Sequence, residues 1–412
     1  MSTRPTKRVV VTGISVVAPG GLGTERYWKA LLTGENAIAE LTRFDATRYP
    51  SRLAGQITDF DAAEHLPGRL LPQTDVSTRY ALAAADWALS EAGVGPDSGF
   101  DDYDLGVVTS TAQGGFDFTH REFHKLWSQG PEYVSVYESF AWFYAVNTGQ
   151  ISIRNSMRGP SAALVGEQAG GLDAIGHARR TVRRGTGLVV SGGVDSALDP
   201  WGFASQLAGG LVSTVLDRER AYLPFDSAAS GYVPGEGGAV LVVEDADSAN
   251  ERGAERIYGE IAGYAATFDP APGSGRPPAL DRAALLALDE AGLRPSDVSV
   301  VFADGVGVPE LDRAEADALV RIFGPRGVPV TVPKALTGRM CAGGGPADVA
   351  AALLALRDQI IPASGRTDRV PDAYGIDLVT GEPRAAALDT ALVLARGRHG
   401  FNSAVVLTSH RP

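Results

Sequence analysis

Short β-branched apolar runs alternate along the chain with longer stretches in which apolar residues return every three or four positions. That alternation predicts strands and helices in turn, and hence mostly parallel sheets covered on both faces. Val9 to Val17 reads as a strand with a turn inside it, and Leu105 to Ser110, Ala162 to Val165, Leu188 to Ser191 and Ala239 to Val243 as further buried strands. Helices are expected at Tyr27 to Leu32, closed by Gly34, at Tyr80 to Ala92, stopped by Gly93, and at Phe116 to Trp127. Near residue 250 the pattern begins again. Strands at Ile257 to Tyr264 and Val298 to Ala303 flank a helix at Leu280 to Ala291. Helices at Ala314 to Ile322 and Asp348 to Leu356 and strands at Thr390 to Ala395 and Ser403 to Thr408 follow. Two similar runs predict an internal duplication packed as one unit, with halves at 1–250 and 251–412.

One stretch organises the first half. The strand ending at Val165 runs into a Gly-rich turn, Gly166 to Gly171, which opens a helix carrying Leu172, Ile175 and Ala178. A strand, tight turn and helix start expose one side chain at a helix N-terminus, where unpaired N–H groups and the helix dipole favour a thiolate or oxyanion. Gln168 stands there. A primary amide has no acidic proton near neutral pH and is no nucleophile. The same stretch also fits a plain strand–helix corner with an ordinary polar residue.

Composition narrows the class. Among 412 residues, 44% are hydrophobic and 21% charged, enough for a large core, and the formal net charge of -12 argues against nucleic acid or an anionic membrane as main partner. The one cysteine, Cys341, rules out an internal disulfide and suits a reducing cytoplasm. No apolar run approaches the ~18–20 residues needed to span a bilayer, and the N-terminus lacks a secretory apolar region. The six histidines do not cluster as zinc ligands, because His120 and His124 lack the intervening Glu of a His-Glu-x-x-His site. No Gly-rich loop has a nucleotide-binding context, so neither metal nor cofactor is expected. Cys341 reads as a buried, inert thiol. Arg179, Arg180, Arg183 and Arg184 read as a solvated face near a helix end.

The order and spacing of Val11-Thr-Gly13, Arg158-Gly-Pro-Ser161, Pro224-Phe-Asp226, Gly235-Glu-Gly237, Lys334 with Thr337-Gly338, and Gly400-Phe-Asn402 resemble the β-ketoacyl synthase family. The resemblance covers nearly the whole length. It implies a thiolase-like fold, layered αβαβα and built from two duplicated halves. The family uses a Cys nucleophile and two His residues that stabilise the thioester oxyanion and assist malonyl decarboxylation. Here the matching positions hold Gln168, Asp304 and Arg339, while Lys334 is retained and Asp348 stands at an acidic position further along. Asp304 puts negative charge where an oxyanion would develop, and Arg339 stays protonated and cannot act as a base. The two could form an ion pair filling the old site or could each face solvent.

Within the family, Gly166-Glu-Gln-Ala-Gly-Gly-Leu-Asp-Ala174 and Arg396-Gly-Arg-His-Gly-Phe-Asn-Ser403 are similar to the chain length factor, or ketosynthase-β subunit, of bacterial type II aromatic polyketide synthases. That resemblance implies a heterodimer with a Cys-bearing ketosynthase-α, which builds a poly-β-ketone from malonyl units. Phosphopantetheine then arrives on an acyl carrier protein and is no cofactor of this chain. The family's usual gating Phe near the C-terminal Gly-rich turn is matched by Arg398. Phe116, Thr119 and Phe123 lie at i, i+3 and i+7, within a stripe of about 60°. By spacing alone that stripe is an ordinary core face. The resemblance implies chain-length gates there, with Trp201 as a further bulky residue and a product of roughly octaketide length. Two other functions are weighed against this one. A Gln-type malonyl decarboxylase that primes synthesis would be expected to keep both His residues. A scaffold that only folds its partner would leave product length indifferent to residues 116, 119 and 123.

Overall fold

Ten consecutive buried residues, Val9–Ala18, form the seam of the molecule. The computed structural model describes residues 7–95, 98–271 and 273–410. Its first half supplies β1 (Val9–Ala18), β2 (Leu105–Ser110), β3 (Ser161–Leu164), β4 (Leu188–Asp195) and β5 (Gly237–Asp245). Its second supplies β6 (Gly259–Phe268), β7 (Val300–Phe302), β8 (Pro329–Thr331), β9 (Asp377–Leu378), β10 (Thr390–Arg396) and β11 (Phe401–Thr408).

Strand pairing shows the duplication that residue identity leaves obscure. In the first half β1 lies antiparallel to β5, β5 antiparallel to β4, β4 parallel to β2, and β2 parallel to β3. In the second, β6 lies antiparallel to β11, β11 antiparallel to β10, β10 parallel to β7, and β7 parallel to β8. The order and direction are the same, with β9 added parallel to β8. The halves join where Val10 and Val11 of β1 pair with Glu260 and Gly259 of β6. The turn expected inside β1 is instead a bulge, where the register with β5 shifts between Val11 and Gly13.

The helices are α1 (Thr24–Leu32), α2 (Val76–Glu91), α3 (Phe116–Ser128), α4 (Val146–Arg154), α5 (Glu167–Arg183), α6 (Pro200–Ala208), α7 (Leu280–Ala291), α8 (Pro309–Phe323) and α9 (Gly344–Asp358). α5 and α9 pack on each other between the two halves, touching β4 and β11 in one case and β5 and β10 in the other. α2 covers the outer side of β1 and β5, and α7, backed by α8, covers β6 and β11. The result is the layered αβαβα arrangement. Burial from both sides explains why α9 is buried at every position from Gly344 to Leu356 and lacks a polar face.

Two expectations change at α5. Gly166 to Gly171 is not a turn, because the helix starts at Glu167 and includes Gly170 and Gly171. Those glycines serve close packing: a Cβ on Gly171 would lie 2.2 Å from the Ala342 carbonyl oxygen and 2.3 Å from the Pro346 ring. Arg179 is fully buried rather than solvated. Its guanidinium donates to the carbonyls of Ile261 (2.7 Å) and Ala262 (2.5 Å) and to Glu290 (2.6 Å), tying α5 to β6.

Candidate functional site

The corner between β3 and α5 keeps the geometry of a nucleophile elbow without a nucleophile. Glu167 adopts φ +51°, a left-handed conformation unfavourable for a residue with a Cβ. Its carboxylate accepts the Arg398 backbone N–H at 2.9 Å, which helps hold the corner. Gln168 follows in the first turn, but it is 0% exposed rather than presented. Its amide lies against Gly344 at the start of α9, where a Cβ would fall 2.2 Å from Nε2. Neither amide atom has a hydrogen-bond partner among the described residues. The side chain is sealed under the inner helix layer.

Asp304 follows β7, Lys334 and Arg339 follow β8, and Asp348 lies on α9, so the second half of the chain delivers all four side chains to one buried place. Arg339 Nη1 is 3.1 Å from Asp304 Oδ1 and Nη2 is 3.1 Å from Oδ2, and Nη2 also donates to the Arg396 carbonyl at 2.6 Å. Asp304 and Arg339 thus form an ion pair, 0% and 4% exposed, and do not face solvent. Burial works against the Arg339 charge, but Asp304, Glu167 and Tyr222 outweigh it and hold its pKa well above the usual value. Lys334 Nζ lies 2.6 Å from Asp348 Oδ2 and donates to the carbonyls of Ala303 (2.7 Å) and Asp304 (3.1 Å). Burial pushes the Asp348 carboxyl up to about 6, with Lys334 acting in the other direction. Each cation is thus engaged by a carboxylate or a carbonyl, and no imidazole stands at either position to serve an oxyanion.

Beside this cluster runs a cavity of about 450 Å³, lined by Leu211, Val306 and Leu311 and by Tyr232, Arg339 and Arg398. A neighbouring cavity of about 320 Å³ shares Glu167, Tyr232 and Arg398 with it and reaches Cys341 and Gln113. Cys341 is buried, its thiol is pushed far up by burial, and its Sγ accepts Gln113 Nε2–H at 3.1 Å, consistent with an inert thiol. Arg398 is within 3.4 Å of Tyr232 Oη, on the wall of both cavities.

Phe116, Phe123 and Trp201 meet in one aromatic cluster. Ring centroids are 4.9 Å apart for Phe116 and Trp201 and 5.7 Å for Phe123 and Trp201, and Trp127 joins Phe123 at 5.3 Å. Trp201 remains 44% exposed, so the cluster opens on one side. Thr119 lies on the same helix but is buried, with its hydroxyl toward the Glu138 carboxyl. Another side chain takes part that the sequence reading set aside after the zinc test. His120, at i+4 from Phe116 and also facing α6, is 2.8 Å from Asp199, the residue that caps the helix bearing Trp201. An i, i+4, i+7 count would have placed His120 on the stripe, but nothing in the spacing points to a partner 79 residues away.

Among the described residues no group of three or more His, Cys, Asp or Glu side chains is placed to hold a metal ion, and no helix is long and apolar enough to cross a membrane.

The family profile of the β-ketoacyl synthase N-terminal domain matches residues 6–249, and that of the C-terminal domain matches residues 258–367. The granaticin polyketide β-ketoacyl synthase 2 of Streptomyces violaceoruber is 80% identical over 408 residues, covering 99% of this chain and 98% of that one. The actinorhodin polyketide β-ketoacyl synthase 2 of Streptomyces coelicolor is 67% identical over 404 residues, covering 98% and 99%. The tetracenomycin polyketide synthase ketoacyl synthase β subunit of Streptomyces glaucescens is 57% identical over 403 residues, covering 98% of each. Among solved structures, the ishigamide ketosynthase/chain length factor superposes with a TM-score of 0.91 at 24% identity, covering 99% of this chain and all of that one. At that identity it speaks for the fold.

Proposed function

The chain belongs to the β-ketoacyl synthase family, and from that premise we propose that it is the chain length factor (ketosynthase-β) of a type II polyketide synthase. It pairs with a Cys-bearing ketosynthase-α in the cytoplasm and sets the length of a poly-β-ketone built from malonyl units on an acyl carrier protein. The observation that carries this reading is a contrast between two places. Where the family has its nucleophile and imidazoles, this chain has a sealed amide and a closed ion pair. Where a growing chain would run, it has a half-open aromatic cluster of Phe116, Phe123 and Trp201. Thr119 completes the gate as a minor member. Large gates of this kind favour a short, octaketide-class product. A Gln168-based malonyl decarboxylase fares worse, because the amide is buried against Gly344 and neither imidazole that would stabilise the enolate is present.

Lone protein incubated with malonyl or acyl thioesters should show no covalent adduct by intact mass, because residue 168 carries no nucleophile. Gln168→Cys should add no condensing activity of its own while Asp304 and Arg339 remain. A stable acyl adduct on the unmodified lone chain would refute this account of the site.

Pairing is supported at β3. Among the described residues its outer edge has no strand partner, although its other edge pairs with β2. An uncovered edge strand invites a partner strand. Trp127, Val136, Trp142, Phe143 and Ile153 are exposed in the segment leading to it. The pairing contact therefore takes in Ser161–Leu164 together with the exposed face of α4 at Ile153. Affinity-tagged chain co-expressed with a ketosynthase-α should co-purify with it in equal amounts. The chain expressed alone should aggregate or self-associate, and a monodisperse soluble monomer at micromolar concentration would contradict obligate pairing.

A further inference from the structure

We propose that the hydrogen bond between His120 and Asp199 is a positioning clamp that sets the distance between the two walls of the gate and so takes part in choosing product length. The proposal rests on the gate reading and assigns a specificity role to two residues outside the aromatic cluster. His120 Nδ1 lies 2.8 Å from Asp199 Oδ2, so the ring N–H donates to the carboxylate. The same carboxylate accepts the backbone N–H of Trp201 at 3.0 Å and of Gly202 at 3.2 Å, capping α6 at the residue that carries the third aromatic ring. One carboxylate thus touches both the helix of Phe116 and Phe123 and the backbone of Trp201. Asp199 is 2% exposed, which gives the bond more weight than an exposed pair would have.

The rest of each helix is held from elsewhere, which confines the clamp's effect to the gap. Behind α6, Phe203 is fully buried, with ring centroids 6.0 Å from Phe44 and 5.9 Å from Tyr49. On α3, the Phe118 N–H donates to Asp75 at 2.9 Å, and Glu122 accepts the Ser135 N–H at 2.7 Å. With these anchors in place, loss of the His120 bond frees the capping turn and the Trp201 ring rather than unfolding either helix. On a helix of 3.6 residues per turn, His120 stands about 40° from Phe116 on the side opposite Thr119. It flanks the cluster without entering it.

The test uses the reconstituted heterodimer with its acyl carrier protein and malonyl donor, and reads the mass distribution of the released polyketides. Phe116→Ala reports on the gate, and His120→Ala on the clamp. His120→Leu keeps bulk while removing the bond, should the alanine variant not assemble. His120→Asn places an amide N–H near the Nδ1 position and should restore the wild-type distribution. The expected result is a ratio of longer to shorter products raised at least threefold by His120→Ala or His120→Leu and returned toward wild type by His120→Asn. If Phe116→Ala lengthens products and neither His120 variant does, the clamp is wrong and the gate stands. A shift that Asn fails to reverse also overturns the clamp, since bulk rather than the bond would then matter. If Phe116→Ala leaves length unchanged, the gate reading falls and the clamp falls with it.

Discussion

Phe116→Ala, assembled with its ketosynthase-α, is expected to move the product distribution toward longer polyketides while total flux stays within severalfold. In a sealed core, truncating a phenylalanine costs about 3–5 kcal/mol and leaves a void. Phe116 is only half-buried, and its ring leans on Trp201, which is itself 44% exposed. The lost contacts are therefore fewer, and the freed volume opens toward a growing chain rather than into the core. Phe123→Ala should act in the same direction, because that ring also meets Trp201. The two positions stand about 10.5 Å apart along the helix at 1.5 Å rise per residue, so removing one gate should stop the chain at the next. Thr119→Ala should give a smaller shift, since Thr119 is small, buried and turned toward Glu138. Mass analysis of the released products decides the matter. Unchanged length from active, assembled variants would make the stripe ordinary core.

The largest stability effect should come from Asp304→Ala. That change leaves the Arg339 guanidinium buried, with the Arg396 carbonyl at 2.6 Å as its remaining close acceptor. Breaking one side of a buried pair typically costs about 3–5 kcal/mol, whereas replacing both partners by apolar residues of similar volume is often neutral or better. The urea midpoint of the purified heterodimer should therefore fall markedly for Asp304→Ala and recover in the Asp304→Leu/Arg339→Met double variant. A single variant as stable as the wild type would show that the pair is not buried in the assembled protein. Neither change should create condensing activity, because residue 168 is still glutamine.

The sequence made the architecture readable through periodicity and the degenerate site through substitution. Most strands and helices fall within a few residues of their expected positions, because β-branched runs and helical apolar stripes report burial directly. The Asp304–Arg339 contact could be anticipated because opposite charges had replaced two residues that converge in the family. What stayed hidden depends on packing at long range. Arg179 looked like one of four arginines on a solvated helix end, yet it serves carbonyls on a strand more than 80 positions away, and composition carries no trace of that. Gly170 and Gly171 imitated a turn, although Gly170 is there because Ser110 of β2 leaves no room for a Cβ and Gly171 because Ala342 and Pro346 of the other half leave none, constraints visible only in the folded chain. Gln168 was placed at the right corner, but whether that corner is open depends on Gly344, which belongs to the other half. His120 was legible as a position on the stripe and not as a partner of Asp199.

The most direct measurement holds the ketosynthase-α, the acyl carrier protein and the malonyl donor fixed and changes only this chain: wild type, the Phe116→Ala/Phe123→Ala double variant, or none. Product mass and yield are read from the same reactions. A length-setting subunit with no chemistry of its own should give short products with the wild type, longer products at comparable yield with the double variant, and essentially no full-length polyketide when it is omitted. Identical product lengths with the two versions of the chain, or full-length polyketide in its absence, would contradict the account.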